Sequence, residues 1–426
     1  MREMKDSNVK WIAEIPSSWE ISPVKYLFDI YSGATPQSAV EEYWDGDVLW
    51  ITPADYKTKD KYVYGGKRNI SEMGLKSCSA TIIPKGSVIF SKRAPIGTVA
   101  INAVPLSTNQ GCLSCVPNKL CEAEFYYYFM SIYIEIFDLL GSGTTFKEIS
   151  ASSFANVATP FPKRDEQAAI VNFLSRKCIE IDTLSNDIQV QIDTLEQYKK
   201  TIIVKAVTKG LNPMAEMKNS TIDNIDSIPV MWEDKKIKFL FSLSNDKNYR
   251  PLEEVKLLSL YTEFGVFPHG EQDERGNKAV NADGYMIVRK DDIVVNIILA
   301  WMGAIGMSNY DGVTSPAYDV YRPLKNVIIP KFYHYLFRTT WFAGECYKYG
   351  RGIMAVRWRT YSSEFKNIRV PYPPIGEQQE IVDYLDDKCT EIDMAISEKK
   401  KQLETLSEYK KSVIYEYVTG KKEVVV

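Results

Sequence analysis

Apolar residues recur at intervals of seven along two stretches of the chain. In the first, Leu174, Ile181, Ile188, Leu195 and Ile202 stand seven apart, with Ile170, Leu184 and Tyr198 in companion positions three or four residues away. In the second, Leu385, Ile392, Leu406 and Val413 keep that spacing, Lys399 interrupts it, and Ile381, Ala395 and Tyr409 fill the companion positions. Pro160 and Pro162 precede the first stretch, and Pro371, Pro373 and Pro374 the second. Asp165, Glu166 and Glu377 put negative charge where a helix N-terminus favours it, and Gly210 and Gly420 stand where the periodicity stops. The pattern predicts two helices of roughly 40 residues, about 60 Å long at 1.5 Å per residue. A single seam on each predicts that they pair as a coiled coil. The alternative is that each lies on its own domain.

Between the helical stretches the pattern is mixed. Strand-like runs at 87–90 and 292–295 each follow a turn, Pro84-Lys85-Gly86 and Arg289-Lys290-Asp291. Aromatic-rich helical runs cover 121–140 and 330–344. The intervening domains are therefore of α/β or α+β class with short strands.

The chain repeats itself. Ile15-Pro16-Ser17-Ser18-Trp19-Glu20 returns as Ile228-Pro229-Val230-Met231-Trp232-Glu233, and Val24-Lys25-Tyr26-Leu27-Phe28 as Ile237-Lys238-Phe239-Leu240-Phe241. Residues 166–208 align with 377–419 without gaps, and about 19 of the 43 positions are identical, Lys177-Cys178 with Lys388-Cys389 and Tyr198-Lys199-Lys200 with Tyr409-Lys410-Lys411 among them. A period of about 210 residues is that of duplicated domains, not of a solenoid. The composition shift at 212–226 marks the linker into the second half.

Composition narrows the class. A chain of 426 residues, 45% hydrophobic and 25% charged, suits two globular domains with connecting elements. The N-terminus is charged and lacks the apolar stretch of a secretory signal, and the most apolar run, 292–307, contains Asn296 and Gly303 and is too short to span a bilayer. A cytoplasmic protein is expected. The net charge of −3 leaves nucleic-acid binding open, because a basic face can be offset elsewhere. Seven scattered cysteines make no disulfide framework, and Cys112, Cys115 and Cys121 lack a fourth ligand for zinc, so they read as buried thiols.

Catalytic patterns are missing. The only histidines, His269 and His334, fall in one half, which denies a histidine-based site to both repeats. The stretch ending Gly66-Lys67 has Lys61 where a phosphate-binding loop needs glycine, and Gly141-Ser142-Gly143-Thr144-Thr145-Phe146 fails the dinucleotide fingerprint at its last position. Tyr372-Pro373-Pro374-Ile375 lacks the polar residue of an amino-methyltransferase loop and reads as the break before a helix. The polar loops look instead like recognition elements. Ser91-Lys92-Arg93-Ala94-Pro95-Ile96-Gly97 is answered by the Asn296–Gly306 segment with Trp301. Ser107-Thr108-Asn109-Gln110-Gly111 is answered by Thr314-Ser315-Pro316-Ala317-Tyr318, and 141–147 by Gly350-Arg351-Gly352 followed by Arg357-Trp358-Arg359. Such side chains on glycine-shaped loops suit contact with phosphates and base edges.

These residues, in this order and duplicated, resemble the specificity subunit of Type I restriction-modification systems. The resemblance spans essentially the whole chain. It rests on Trp44, Trp50-Ile51-Thr52-Pro53-Ala54-Asp55, the Ser91–Gly97 loop, Asn109-Gln110-Gly111 and Gly143-Thr144-Thr145-Phe146 in the first half. In the second it rests on Tyr261, Gly265-Val266, 310–318 and Trp358, and in both halves on the Pro-x-Pro, then Glu-Gln, start of the helix. It implies two globular target recognition domains, at 1–162 and 211–373, separated by two long antiparallel paired helices at 163–210 and 374–426. Each domain then reads one half of a split target in double-stranded DNA. The helices dock two methyltransferase subunits, which carry S-adenosylmethionine and the catalysis, and restriction subunits join them. The chain itself would hold no cofactor, metal or catalytic residue. Helices of that length can act as a ruler between grooves about one turn, 34 Å, apart. The candidates for DNA contact are Ser91, Lys92, Arg93, Asn109, Gln110, Thr144, Thr145 and Lys147 in the first half. In the second they are Asn296, Trp301, Ser315, Arg351, Arg357 and Arg359. The loop at 91–97, as a feature shared by the family, is expected to shape the domain or touch phosphates. Two other readings stand beside this one: a methyltransferase or nuclease bearing its own recognition domains, and a coiled-coil adaptor unrelated to DNA.

Overall fold

The computed structural model describes residues 2–93, 95–143, 147–262, 265–270, 281–352 and 358–424. Contacts divide the chain into two compact units, Met1–Ile188 with Lys401–Val426, and Gln189–Lys400. The long helices are Arg164–Lys209 and Ile375–Val418. Among the described residues no helix is long and apolar enough to cross a membrane.

In the first unit a five-stranded sheet runs in the order Phe28–Ser32, Cys112–Pro117, Val88–Ser91, Val99–Asn102, Tyr62–Val63. All its pairings are antiparallel except the last. The central strand is apolar without alternation, Val88-Ile89-Phe90, because both its faces are covered. The helix Ala123–Ile132 lies against it and buries six consecutive residues, Phe125 to Met130. The second unit repeats this order with four strands, Phe241–Ser244, Tyr318–Pro323, Ile293–Asn296 and Ile305–Met307, all antiparallel. Its aromatic helix is Pro330–Phe337.

The aromatic runs are not single helices. The first breaks at Tyr133 before Ile134–Leu140, and the second at Arg338 before Thr340–Lys348. In the second, Thr339 starts a new helix by accepting a hydrogen bond from Phe342 N at 3.2 Å, which competes with continuation of the first.

The long helices pair through a seam within each unit. In the first, Ile170, Leu174 and Cys178 share a core with Val413, Ile414 and Val418, and Phe173 meets the ring of Tyr417 at 4.3 Å. In the second, Ala206 and Val207 share a core with Ile381, Val382 and Leu385. Both segments run antiparallel, with Asp182 opposite Lys410 and Lys199 opposite Asp393. Of the expected seam, Ile181, Ile188, Ile202, Ile392 and Val413 are buried, while Leu195 and Leu406 are partly so. The companion row differs from the expectation. Leu184, Tyr198 and Tyr409 are about half exposed, and Cys178, Ile192, Cys389 and Ile396 are buried in their stead. Cysteine serves in the seam because a buried thiol packs as a small apolar group.

The repeated Glu-Gln at each helix start is a clamp. Trp19 Nε1 donates to Glu166 at 2.9 Å and Trp232 Nε1 to Glu377 at 2.8 Å. Gln167 is fully buried, accepting from Glu122 N at 2.8 Å and donating to the carbonyls of Leu120 and Pro162. Gln378 does the same with Ile329 N and the Pro373 carbonyl. The hydroxyls of Tyr126 and Tyr333 donate to the Pro160 and Pro371 carbonyls, each at 3.2 Å. Pro160 and Pro371 lie in the strands Ala158–Phe161 and Arg369–Tyr372 before the helices begin, so no helical bond claims their carbonyls.

Candidate nucleic-acid interface

In the first unit three of the polar loops converge beyond the end of the strand Val88–Ser91. Lys92 is the junction: its N–H donates to Gly111 O at 2.9 Å and its carbonyl accepts from Ile149 N at 3.0 Å. Ser142 and Glu148 exchange two backbone hydrogen bonds of 2.9 Å, closing the third loop on itself. Ser91 is fully buried, and its hydroxyl donates to Arg93 O at 2.8 Å, so it shapes the turn. Gly97 sits at φ +90°, which only glycine adopts without strain. Asn109 braces its own turn through Gly111 N at 2.9 Å, while Gln110 is exposed and bonded to Thr35 Oγ1.

The exposed charges of this face are paired. Glu148 accepts from Arg93 Nε at 2.7 Å and meets Lys92 Nζ at 2.9 Å, and Lys147 reaches Asp138 at 2.6 Å. Burial pushes the Glu148 carboxyl up, but hydrogen bonds from Lys92 and Arg93 outweigh that and hold it below the usual carboxylate range. Arg93 remains about half exposed, with side-chain exposure of 47%, so it can turn to a phosphate at little cost.

The second unit builds the same junction from other residues. Asn296 is buried, and its Oδ1 accepts from Ile298 N and Leu299 N at 3.0 and 3.3 Å, holding the turn that ends at Gly303. Thr360 N donates to Ile297 O at 2.9 Å, the counterpart of the bond at Lys92. Arg351 and Arg359 exchange backbone hydrogen bonds of 2.9 and 3.0 Å, the counterpart of Ser142 and Glu148. Ser315 holds its loop through Ala317 N at 3.3 Å. In place of the Lys92–Arg93–Glu148 group stand three rings. Trp301 meets Tyr347 at 5.9 Å, and Tyr347 stacks on Trp358 at 5.0 Å and 22°. Arg351 is exposed and paired with Glu364.

Thr144, Thr145 and Arg357, with Ala94 and Phe146, lie outside the described residues. Sequence reasoning missed Glu148, Glu364 and Tyr347. The two acids follow basic loop residues closely in sequence or in space, but only folding shows whom they pair with. Tyr347 lies beyond the 330–344 run that the sequence suggests, near the end of the helix Thr340–Lys348, and has no local signal of its own.

All seven cysteines are free, and Cys112, Cys115 and Cys121 are buried; burial pushes the Cys112 thiol up to about 12. Among the described residues no group of three or more His, Cys, Asp or Glu is placed to hold a metal ion.

Comparison with known proteins gives a consistent picture. The family model of the Type I restriction modification DNA specificity domain matches twice, at residues 16–203 and 229–405. The Type I restriction enzyme MjaIX specificity subunit of Methanocaldococcus jannaschii is 35% identical over 253 residues, 57% of this chain and 56% of that relative's length. The MjaVIII specificity subunit of the same organism is 22% identical over 99% of this chain and 97% of its own. A chain from a structure on complex assembly and conformational transition of the type I R-M system superposes with a TM-score of 0.71 at 13% identity, covering 96% of this chain and 99% of that one. The HsdS subunit from Thermoanaerobacter tengcongensis gives a TM-score of 0.55 at 14% identity, covering 96% and 98%. At those identities the structural likeness speaks for the fold alone, while the two family matches cover most of the chain. The chain therefore belongs to the family of Type I restriction-modification DNA specificity subunits, proteins that carry recognition while partner subunits carry the catalysis.

Proposed function

We propose that this chain selects the DNA sequence on which a Type I restriction-modification enzyme acts, each globular part reading one half of a bipartite target. The observation that carries this is a loop junction closed in each unit by corresponding backbone bonds, Ile149 to Lys92 with Ser142 to Glu148 in one and Thr360 to Ile297 with Arg351 to Arg359 in the other, but with different side chains. A shared frame with unlike contents suits the reading of two unlike half-sites. The target recognition domains are placed at 1–162 and 211–373, with 163–210 and 374–426 as the helices that dock two methyltransferase subunits and, with them, restriction subunits. S-adenosylmethionine belongs to those partners, and the complex works on DNA in the cytoplasm.

Within the junctions, exposed Arg93 and Gln110 with part-buried Lys92 and Lys147, and Trp301, Ser315, Arg351 and Arg359, are the proposed contacts to DNA. Ser91, Asn109 and Asn296 hold the loops in shape. Thr144, Thr145 and Arg357 complete the proposed contact set.

The test is to map methylated adenines by single-molecule sequencing in cells with and without this chain. A bipartite motif should vanish when the chain is absent, and replacing 1–162 or 211–373 with the corresponding part of a relative should change one half of the motif only. Methylation that is unaffected by deletion, or that changes in both halves at once, would refute the proposal.

A further inference from the structure

The turn that follows the strand Ile293–Asn296 holds apolar side chains out into water on a braced frame. Asn296 takes the Ile298 and Leu299 amides, Ala300–Met302 forms one turn of 3-10 helix, and Gly303 closes it at φ +85°. Ala304 N donates back to Leu299 O at 3.1 Å. Ala300 is buried, and Trp301 packs against the core of the unit with its Nε1 donating to Ile298 O at 2.9 Å. Leu299 and Met302 stand three residues apart, hence on one side of a 3-10 turn, and are left exposed at 38% and 53%.

The helix Thr340–Lys348 packs against this turn and adds Tyr347, itself 52% exposed, whose ring meets both Trp301 and Trp358. The stack is built for. Trp358 Nε1 donates to Tyr347 O at 3.0 Å, and Gly350 makes the room, because a Cβ there would stand 2.3 Å from that nitrogen. A contiguous apolar surface on a rigid turn does nothing for the fold and marks a place that meets another molecule.

We infer that this turn grips the second half of the DNA target by apolar contact, Leu299 and Met302 covering thymine methyls or the carbons of sugars and base edges. The inference rests on the proposed recognition function and gives the second half-site its chemistry. Three observations carry it. The turn answers to the Ser91–Gly97 loop of the first half, where Lys92 and Arg93 are the proposed contacts, and Arg351 and Arg359 flank its rings. Its residues differ from those of that loop, as contacts to two unlike half-sites should, whereas two like partner subunits would ask for like contacts. Its outward side chains carry no charge, so the contact expels water from apolar groups and releases no counterion. The two half-sites are then held by different forces, charge in one and apolar burial in the other.

The test uses the chain assembled with its methyltransferase subunits and a duplex carrying the target that methylation mapping defines. Leu299→Ala with Met302→Ala should weaken binding to that duplex about tenfold and leave binding to an unrelated duplex unchanged. The slope of log K against log salt should stay as it is. Met302→Leu alone, which keeps the apolar bulk, should bind as the unaltered chain does. Uracil in place of thymine through the second half-site separates the two sources of apolar surface. A loss for the unaltered chain that the double variant does not share assigns the contact to thymine methyls, and no loss for either assigns it to sugar and base-edge carbons. Undiminished affinity of the double variant, or a flatter salt slope, would overturn the inference while the bipartite motif stands. So would loss of a methyltransferase subunit from the double variant on native mass spectrometry, which would make the surface a protein interface. An unaltered chain that directs no bipartite methylation would overturn the recognition reading and this inference with it.

Discussion

Lys410 donates to both carboxylate oxygens of Asp182, at 2.6 and 2.7 Å, from a position in the helix seam of the first unit. In the second unit Lys199 holds Asp393 in the same way, at 2.7 and 2.6 Å. A lysine in an otherwise apolar seam weakens a coiled coil, but it tolerates only the register that brings its carboxylate opposite. The duplicated pair therefore sets the alignment of the helices in each unit more than it stabilises them.

A double-mutant cycle separates those roles. With side-chain exposures of 27% for Lys410 and 57% for Asp182, the coupling between Lys410→Ala and Asp182→Ala is expected at about 0.5–1 kcal/mol in low salt, shrinking as salt is added. Lys410→Leu should leave thermal stability equal or higher, because an apolar residue suits the seam. A coupling of zero in low salt, measured by urea unfolding, would remove the pair from the account.

The buried glutamines should matter far more. Gln167 satisfies one backbone N–H and two carbonyls, and Gln378 one of each. Gln167→Ala removes the partner of three backbone groups, one buried and two partly so, and is expected to destabilise the first unit by about 1–3 kcal/mol. Gln378→Ala should cost the second unit somewhat less. Urea unfolding followed through a fully buried tryptophan of each unit, Trp19 or Trp232, is the measurement, and a loss under about 1 kcal/mol for Gln167→Ala would count against the clamp.

How much of this the sequence disclosed depends on what the interactions are made of. The long helices were legible because a seven-residue apolar period and its proline and glycine boundaries are local signals. The seam's second row was misread, since Leu184 and Tyr198 look apolar but face outward, while Cys178 and Ile192 take their places. The Glu-Gln repeat was visible as a repeat, but its work on Trp19 and on the Glu122 N–H spans 147 and 45 residues of chain, which no local pattern carries. The recognition loops were found one by one as polar, glycine-shaped turns. That all three meet on Lys92 in one unit, and that Thr360 closes on Ile297 in the other, is tertiary information.

His334 makes the second unit sensitive to acid. Burial pushes its imidazole down to about 3, the charges of Arg338 and Lys331 push the same way, and Asp386 only partly opposes them. Its Nδ1 accepts from Met307 N at 3.1 Å, a bond that the neutral ring alone can make. The unfolded chain titrates near the ordinary value of about 6.5, so between the two values it binds a proton that the folded state refuses. The contribution is intact above about pH 6.5 and is lost as pH falls toward 3, at up to about 1.4 kcal/mol per pH unit. His334→Asn should be less stable at neutral pH yet lose less stability between neutral pH and about pH 5. Parallel pH dependences of the urea midpoints in the two proteins would show that His334 is not the group responsible.

The basic residues of the junctions should act on DNA through phosphates. Arg93 is tied to Glu148 and Arg351 to Glu364, and both are exposed enough to exchange that partner for another anion. In the assembled methyltransferase, Arg93→Ala and Arg351→Ala are each expected to weaken binding several-fold for every sequence tested. Each should also flatten the plot of log K against log salt by about 0.9, the loss of one phosphate contact. Glu148→Ala should act oppositely, because it releases Lys92 and Arg93 from a carboxylate held in its charged form. Its affinity for DNA should rise irrespective of sequence, with a steeper salt dependence. Unchanged affinity and slope in both arginine variants would move the DNA contact away from these junctions, since a phosphate contact cannot be lost without a change in counterion release.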